Sequence, residues 1–511
     1  MLRARALVCA VAAATAVSLS ACGGGGVSSD DPASLAPADA PIYVQAVVRP
    51  QGKQKSDVES LASTISGLAD PTGRLIDLIN QGLNQNPPLS GKHLTFQRDI
   101  EPWLGDRAGI FVEGFNHAPG AGILQTTDPK ASEKFIQDSR QKGDRERSYR
   151  GVRYLLSSGT AVAVVGDFLV VGDQPAFKDA VDVSKGADSL GDQGDFNDAL
   201  DHAPSGSLLD VYASLEGIDK AIRANDAGNA AAFEGTVGET AGKTVLASLV
   251  PHADSAELDI ATNAESRSLR LADSSNLIRD FPAAAFAAIA EPDVGETIKA
   301  TLAQLQRAGV PGVSKQAIDQ RLAPAGITLD DITGALGDAA IFAEGSDLRS
   351  LQAAAAIVAT DPGKASDLVG NLASLALSGG GPGVSKAPVG NGFEVRTRSL
   401  GRQPLVITSQ DGRVVIGYGE QATRQAFSQG GAGTLGGDPT FKQAQQALGG
   451  STLAGYVSLP KVFQLADALG ALHSSGYVQA RPYLDKLTYA VIGSGTQGDF
   501  QSLKVIVGVR G

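Results

Sequence analysis

Two passages of the chain, "DIEPWLGDRAGIFVEG" (Asp99–Gly114) and "DITGALGDAAIFAEG" (Asp331–Gly345), spell Asp-Ile, Leu-Gly-Asp and Ile-Phe-x-Glu-Gly in one order. The correspondence continues on both sides. Thr127-Asp128-Pro129 matches Thr360-Asp361-Pro362, and each opens a helical pattern. "AVAVVGDFLVVGD" and "LVITSQDGRVVIGY" are each two apolar strands about a turn, and Asp411-Gly412 is a strong type I′ signal. Phe196, Tyr212 and Ser214-Leu215 then match Phe441, Tyr456 and Ser458-Leu459. A repeat this long is not a solenoid. It predicts two tandem homologous lobes, residues 38–262 and 275–511, joined by the polar run "ESRSLRLADSSN".

Within a copy, strands fall in adjacent pairs with helices between the groups. Leu61, Ile65 and Leu68 lie at helical spacing in the first copy, and Val294, Ile298, Leu302 and Leu305 in the second. Short turns between paired strands imply antiparallel pairing. The expected class is therefore α+β, each lobe a curved, mainly antiparallel sheet with helices packed on one face.

The chain opens "MLRARALVCAVAAATAVSLSACGGGG". Arg3 and Arg5 precede an uncharged apolar run, Ala6–Leu19, too short for a permanent membrane span. Leu19-Ser20-Ala21-Cys22 is similar to a bacterial lipobox, which implies removal of residues 1–21 and a diacylglyceryl group on the Cys22 sulfur. Two acyl chains hold a protein on a membrane where one is marginal. Residues 22–37, rich in Gly, Ser, Asp and Pro, read as a flexible tether. Cys9 is the other cysteine and leaves with the signal, so the mature chain has no disulfide.

The formal charge of −12 becomes −14 once Arg3 and Arg5 are lost, a balance that excludes nucleic acid as a partner. With 42% hydrophobic residues the chain can build real cores, although Met occurs only at position 1 and Trp only at position 103.

"LTFQRDIEPWLGDRAGIFVEG", preceded by "APADAPIYVQAVV", resembles the bacterial exported-protein family known as domain of unknown function 3352. The "PWLGDRAG" core carries the resemblance, and the second copy departs from it with Gly334-Ala335 in place of Pro-Trp. The resemblance implies an exported envelope protein and supplies no activity, cofactor or catalytic residue.

Chemistry is sparse. Leu-Gly-Asp reads as a turn in which glycine takes a positive φ. Glu113 and Glu344 read as solvated strand-end acids, and Trp103 as a core plug. His93, His117, His202, His252 and His473 show no metal-ligand spacing, so no metal or other cofactor is expected. Ser458 and Lys461 fit Ser-x-x-Lys, yet the companion motifs are missing and the first copy reads "SLEG". "GETAGKT" and "GAGTLG" miss the strand-then-helix context of nucleotide loops.

No catalytic residue is expected, and the only modified one is Cys22. The reading is a lipid-anchored, non-enzymatic binding or scaffolding protein on the outer face of a membrane, with an envelope protein or a lipid ligand as partner. The alternative is a carrier or sensor that holds a lipid-like ligand in an apolar cavity.

Overall fold

The structure is a computed structural model that describes residues 31–510 apart from 67–70, 86–88, 115–118, 225–228, 231–232, 235–236, 239, 265–274, 308–309 and 379–382. Residues 1–30, Cys22 among them, His117 and most of the linker between the copies lie outside the described residues. The chain forms two compact units. One comprises residues up to Arg267 with Thr496–Leu503, and the other Ser268–Gly495 with Lys504–Arg510.

The first unit holds ten strands: β1 (Ile42–Val47), β2 (Leu104–Val112), β3 (Gly120–Thr126), β4 (Arg145–Tyr149), β5 (Val152–Ser157), β6 (Thr160–Val165), β7 (Phe168–Asp173), β8 (Leu209–Ser214), β9 (Thr244–His252) and β10 (Ser255–Thr262). They pair antiparallel in the order β4-β5-β6-β7-β3-β2-β1-β8-β9-β10.

The second unit repeats the plan with β11 (Ala285–Glu291), β12 (Leu336–Glu344), β13 (Gln352–Ala359), β14 (Val384–Val389), β15 (Gly392–Thr397), β16 (Leu405–Gln410), β17 (Arg413–Tyr418), β18 (Thr452–Ser458), β19 (Leu487–Gln497) and β20 (Phe500–Val509). Their order is β14-β15-β16-β17-β13-β12-β11-β18-β19-β20. Position for position, the two orders are identical. The antiparallel α+β lobes expected from the strand pairs are what the chain forms.

The local signals act as their chemistry dictates. Asp128 accepts hydrogen bonds from Lys130 N and Ala131 N and starts the helix Pro129–Asp138. Asp361 accepts from Gly363 N and Lys364 N and starts Pro362–Ser378. Asp411 (φ 51°) and Gly412 (φ 74°) sit in the left-handed region that a type I′ turn needs between β16 and β17.

Because strand side chains alternate, each sheet feeds two cores. Ile123 of β3 and Val170 of β7 pack with Phe177 of the helix Gln174–Val183 and with Phe196 and Tyr212. Their neighbours Leu124 and Leu169 point the other way, toward Trp103, Phe135 and Ile79. The second unit divides likewise, with Ala354, Ala356 and Val415 on one side and Ile357, Ala359 and Val414 on the other. A second set of helices thus joins the expected layer on one face. Ala- and Val-rich central strands are apolar on both sides and call for cover on both.

Two boundaries move. Residues 31–37, read as tether, belong to the first unit. Pro32–Leu35 forms a 3-10 turn whose Ala33 and Leu35 are core residues, and Pro37 bridges to Ser189 just as Pro282 bridges to Thr434 in the second unit. Asp31 caps the turn through Ala33 N at 3.0 Å and pairs with Arg107 at 2.7 Å. At the other end, Thr496–Leu503 counts with the first unit, where Phe500 joins the core and stacks on His202 at 3.9 Å.

Candidate functional site

Leu-Gly-Asp is not a turn. Leu104 opens β2 and Leu336 opens β12, and each is followed by a register shift. Neither glycine has a positive φ. Gly105 is required by close approach, since a Cβ there would lie 2.7 Å from the Gln125 side chain. Gln125 Oε1 in turn accepts from Asp106 N at 3.0 Å. In the second unit Asp338 Oδ1 accepts from Asp293 N at 2.9 Å. The repeated tripeptide therefore builds a bulged strand start.

Trp103 is the core plug expected. It is buried against Phe135, and its indole N–H donates to the Asp99 carbonyl at 2.6 Å. Its own carbonyl accepts from Thr126 Oγ1 and Thr127 N.

The strand-end acids are where the structure departs most from expectation. Glu113 follows β2, and its pKa is pushed up to about 8. The first cause is burial, followed by the charge of Asp179 on the helix Gln174–Val183 and a hydrogen bond with that carboxyl, with Asp39 and Asp173 adding to it. Its Oε1 is buried with no partner. Glu344 ends β12 only 4% exposed, burial alone raises its pKa, and its Oε2 has no partner. Both acids were expected in solvent. They are withdrawn from it because each follows an Ile-Phe strand whose phenylalanine, Phe111 or Phe342, lies in a core on the same side. A carboxyl raised in this way holds its proton to higher pH than a solvated one.

Ser458 and Lys461 do not form the arrangement their spacing suggests. Lys461 Nζ donates to the Ala283 carbonyl and to the Ala285 carbonyl, the latter at 3.2 Å, and burial lowers its pKa. Ser458 is buried at the start of the helix Leu459–Ala468. Its counterpart Ser214 caps a helix by accepting from Gly217 N at 3.1 Å. Ser458 holds the same position before its helix but makes no side-chain cap hydrogen bond.

The histidines are dispersed. His252 pairs with Glu257 at 3.0 Å across the β9–β10 hairpin, and His473 Nδ1 lies 2.9 Å from the Gly470 carbonyl. Among the described residues no group of three or more His, Cys, Asp or Glu is placed to hold a metal ion. Two clusters escape sequence reasoning. One is Asp210, which accepts from Gln45, Ser207 and Ser248 inside the first unit. The other is Asp179, on which Glu113 leans. Neither has a sequence signal, because apart from Ser207, three residues before Asp210, the partners are distant along the chain.

No curated protein matches the chain in sequence. Among solved structures it is similar to crystal form III of TP0453, with 11% identity, 46% of this chain and 80% of that chain covered, and a TM-score of 0.27. Crystal form I of TP0453 gives 11% identity, 46% and 79% coverage, and a TM-score of 0.26. The model of the family described as "Protein of unknown function (DUF3352)" matches residues 4–468, and the chain belongs to that family.

Proposed function

We propose that this chain is a lipid-anchored extracytoplasmic protein that binds or scaffolds another envelope component without catalysing a reaction. The observation that carries the reading is the opening of the chain, where Arg3, Arg5, the uncharged run Ala6–Leu19 and Leu19-Ser20-Ala21-Cys22 occur in the order that diacylglyceryl transfer needs. Among the described residues no helix is long and apolar enough to cross a membrane. The engagement of Lys461 with two carbonyls speaks against the one nucleophile motif in the sequence.

The two lobes are inferred to descend from one duplicated unit. The matching order of ten strands and the aligned Phe196/Phe441 and Tyr212/Tyr456 support that origin. Native mass spectrometry of the protein extracted from its own membranes tests the functional reading. A protein partner that stays bound supports scaffolding. Lipid in its place, or turnover of a penicillin-like substrate, overturns it.

A further inference from the structure

The second unit carries an uncovered row of apolar side chains. Ile289 pairs with Ile341, Ile341 with Ala355 and Ala355 with Ile416, so the four lie side by side across β11, β12, β13 and β17. On the far side of Ile289 the row continues through Gly455 to Ile492. The five side chains of the row point away from the core that holds Ala288, Phe342 and Val415. Cover fails progressively along the row. Ile407, beside Ile416, still packs on the core under the helix Pro362–Ser378, after which Ile416, Ile341 and Ile289 are 39%, 44% and 52% exposed.

The first unit shows what is missing. Its equivalent row runs Val44, Ile110, Gly122, Val171, and Val171 is 2% exposed. There Val171 packs in the core with Phe135 and Ile136 of the helix Pro129–Asp138, while the helix Gly52–Ser66 lies on β9, held by Gln54 donating to the Ser207 carbonyl and Ser60 to the Ala253 carbonyl. The second-unit counterpart, Val294–Arg307, instead packs on the helix Leu329–Ala335 and β12.

We propose that this row is a lipid-docking face, which rests on the membrane that carries the Cys22 anchor. Three arguments select lipid. The row holds no charge and no side-chain hydrogen-bonding group, and its backbone is satisfied within the sheet, so contact with acyl chains leaves nothing polar unpaired. Lipid is also never far away. Asp31 is fixed in the first unit, which leaves eight residues, 23–30, after Cys22, a leash that spans on the order of 30 Å at most. A tether that short keeps the effective concentration of lipid high. Finally, a second copy is a poor occupant, because two bodies of formal charge −14 repel. The inference depends on the anchor proposed above.

The test uses the mature lipidated protein reconstituted in phosphatidylcholine vesicles. Its only native cysteine is Cys22, so I289C and I341C each offer one site for an environment-sensitive maleimide dye, and V358C, 41% exposed on the opposite face, is the control. The expected result is a blue shift and severalfold quenching by nitroxide-labelled lipid at 289 and 341, with neither at 358. Dye at 289 and 341 that reports water, or that is shielded without lipid quenching, overturns the proposal, since the face is then open or covered by protein. Labelling of the wild-type protein by the same dye marks failure of the anchor reading instead, because Cys22 would be free.

Discussion

Phe196 meets Tyr212 edge-on, ring centroids 5.0 Å apart and planes at 86°, and the second unit repeats the relationship between Phe441 and Tyr456 at 5.0 Å and 75°. All four rings are buried, and burial pushes the phenol pKa of both Tyr212 and Tyr456 up to about 12. In each unit the phenylalanine comes from a helix and the tyrosine from a strand, β8 or β18, so the pair fixes helix to sheet.

Truncating either phenylalanine should therefore be severe. F196A and F441A are each expected to lose about 3–5 kcal/mol by urea denaturation, since the side chain lies wholly inside a core. A loss below about 1 kcal/mol in either would show that the ring packs loosely.

The raised acids make stability fall as pH rises. Folded Glu113 keeps a proton to about pH 8 that the unfolded chain releases near 4.5, so the folded state is favoured most below 4.5 and loses that advantage up to about 8. E113Q, neutral at every pH, is expected to flatten the melting-temperature profile across that window. An unchanged slope would mean Glu113 titrates as an ordinary carboxylate. Glu344 shifts in the same direction through burial alone, and E344Q should act likewise.

Repeated tripeptides invite a ligand-loop reading, which Gly105 tests. G105A would place a methyl 2.7 Å from the Gln125 side chain that accepts from Asp106 N and Arg107 N. The expected outcome is a loss of about 1–3 kcal/mol that shortening the neighbour, as G105A/Q125A, partly relieves. No relief would place the strain elsewhere.

Lys461 is expected to be structural. K461M should cost about 1–3 kcal/mol by leaving the Ala283 and Ala285 carbonyls without their donor. S458A should leave the protein's reactivity unaltered, and fluorescent penicillin should not label the wild type. Covalent labelling lost in S458A would reinstate a nucleophile.

Local grammar made much of the fold legible. Thr-Asp-Pro specifies a helix start through one carboxylate and one ring, and Asp411-Gly412 specifies a turn through backbone freedom alone. The repeat carried Thr-Asp-Pro and the paired strands twice, in order, which made the lobes visible. What stayed hidden depends on partners far along the chain. The burial of Glu344 needs the neighbours of β12, and the raised pKa of Glu113 comes from burial and then from Asp179, sixty-six positions away. The anchoring of Asp31 likewise needs Arg107, so its surroundings read as tether. The exposed row of the second unit was illegible for the same reason: "AAAAIVAT" looks equally apolar whether or not a helix covers it.

A body of two like units held to a membrane through Cys22 would carry a covalent mark of that attachment. Intact mass measurement of the protein extracted from its native membrane tests it most directly. The expected species begins at Cys22, lacks residues 1–21 and carries the added mass of a diacylglyceryl group on the sulfur. A chain that retains residues 1–21, or one with an unmodified Cys22 thiol, would contradict it.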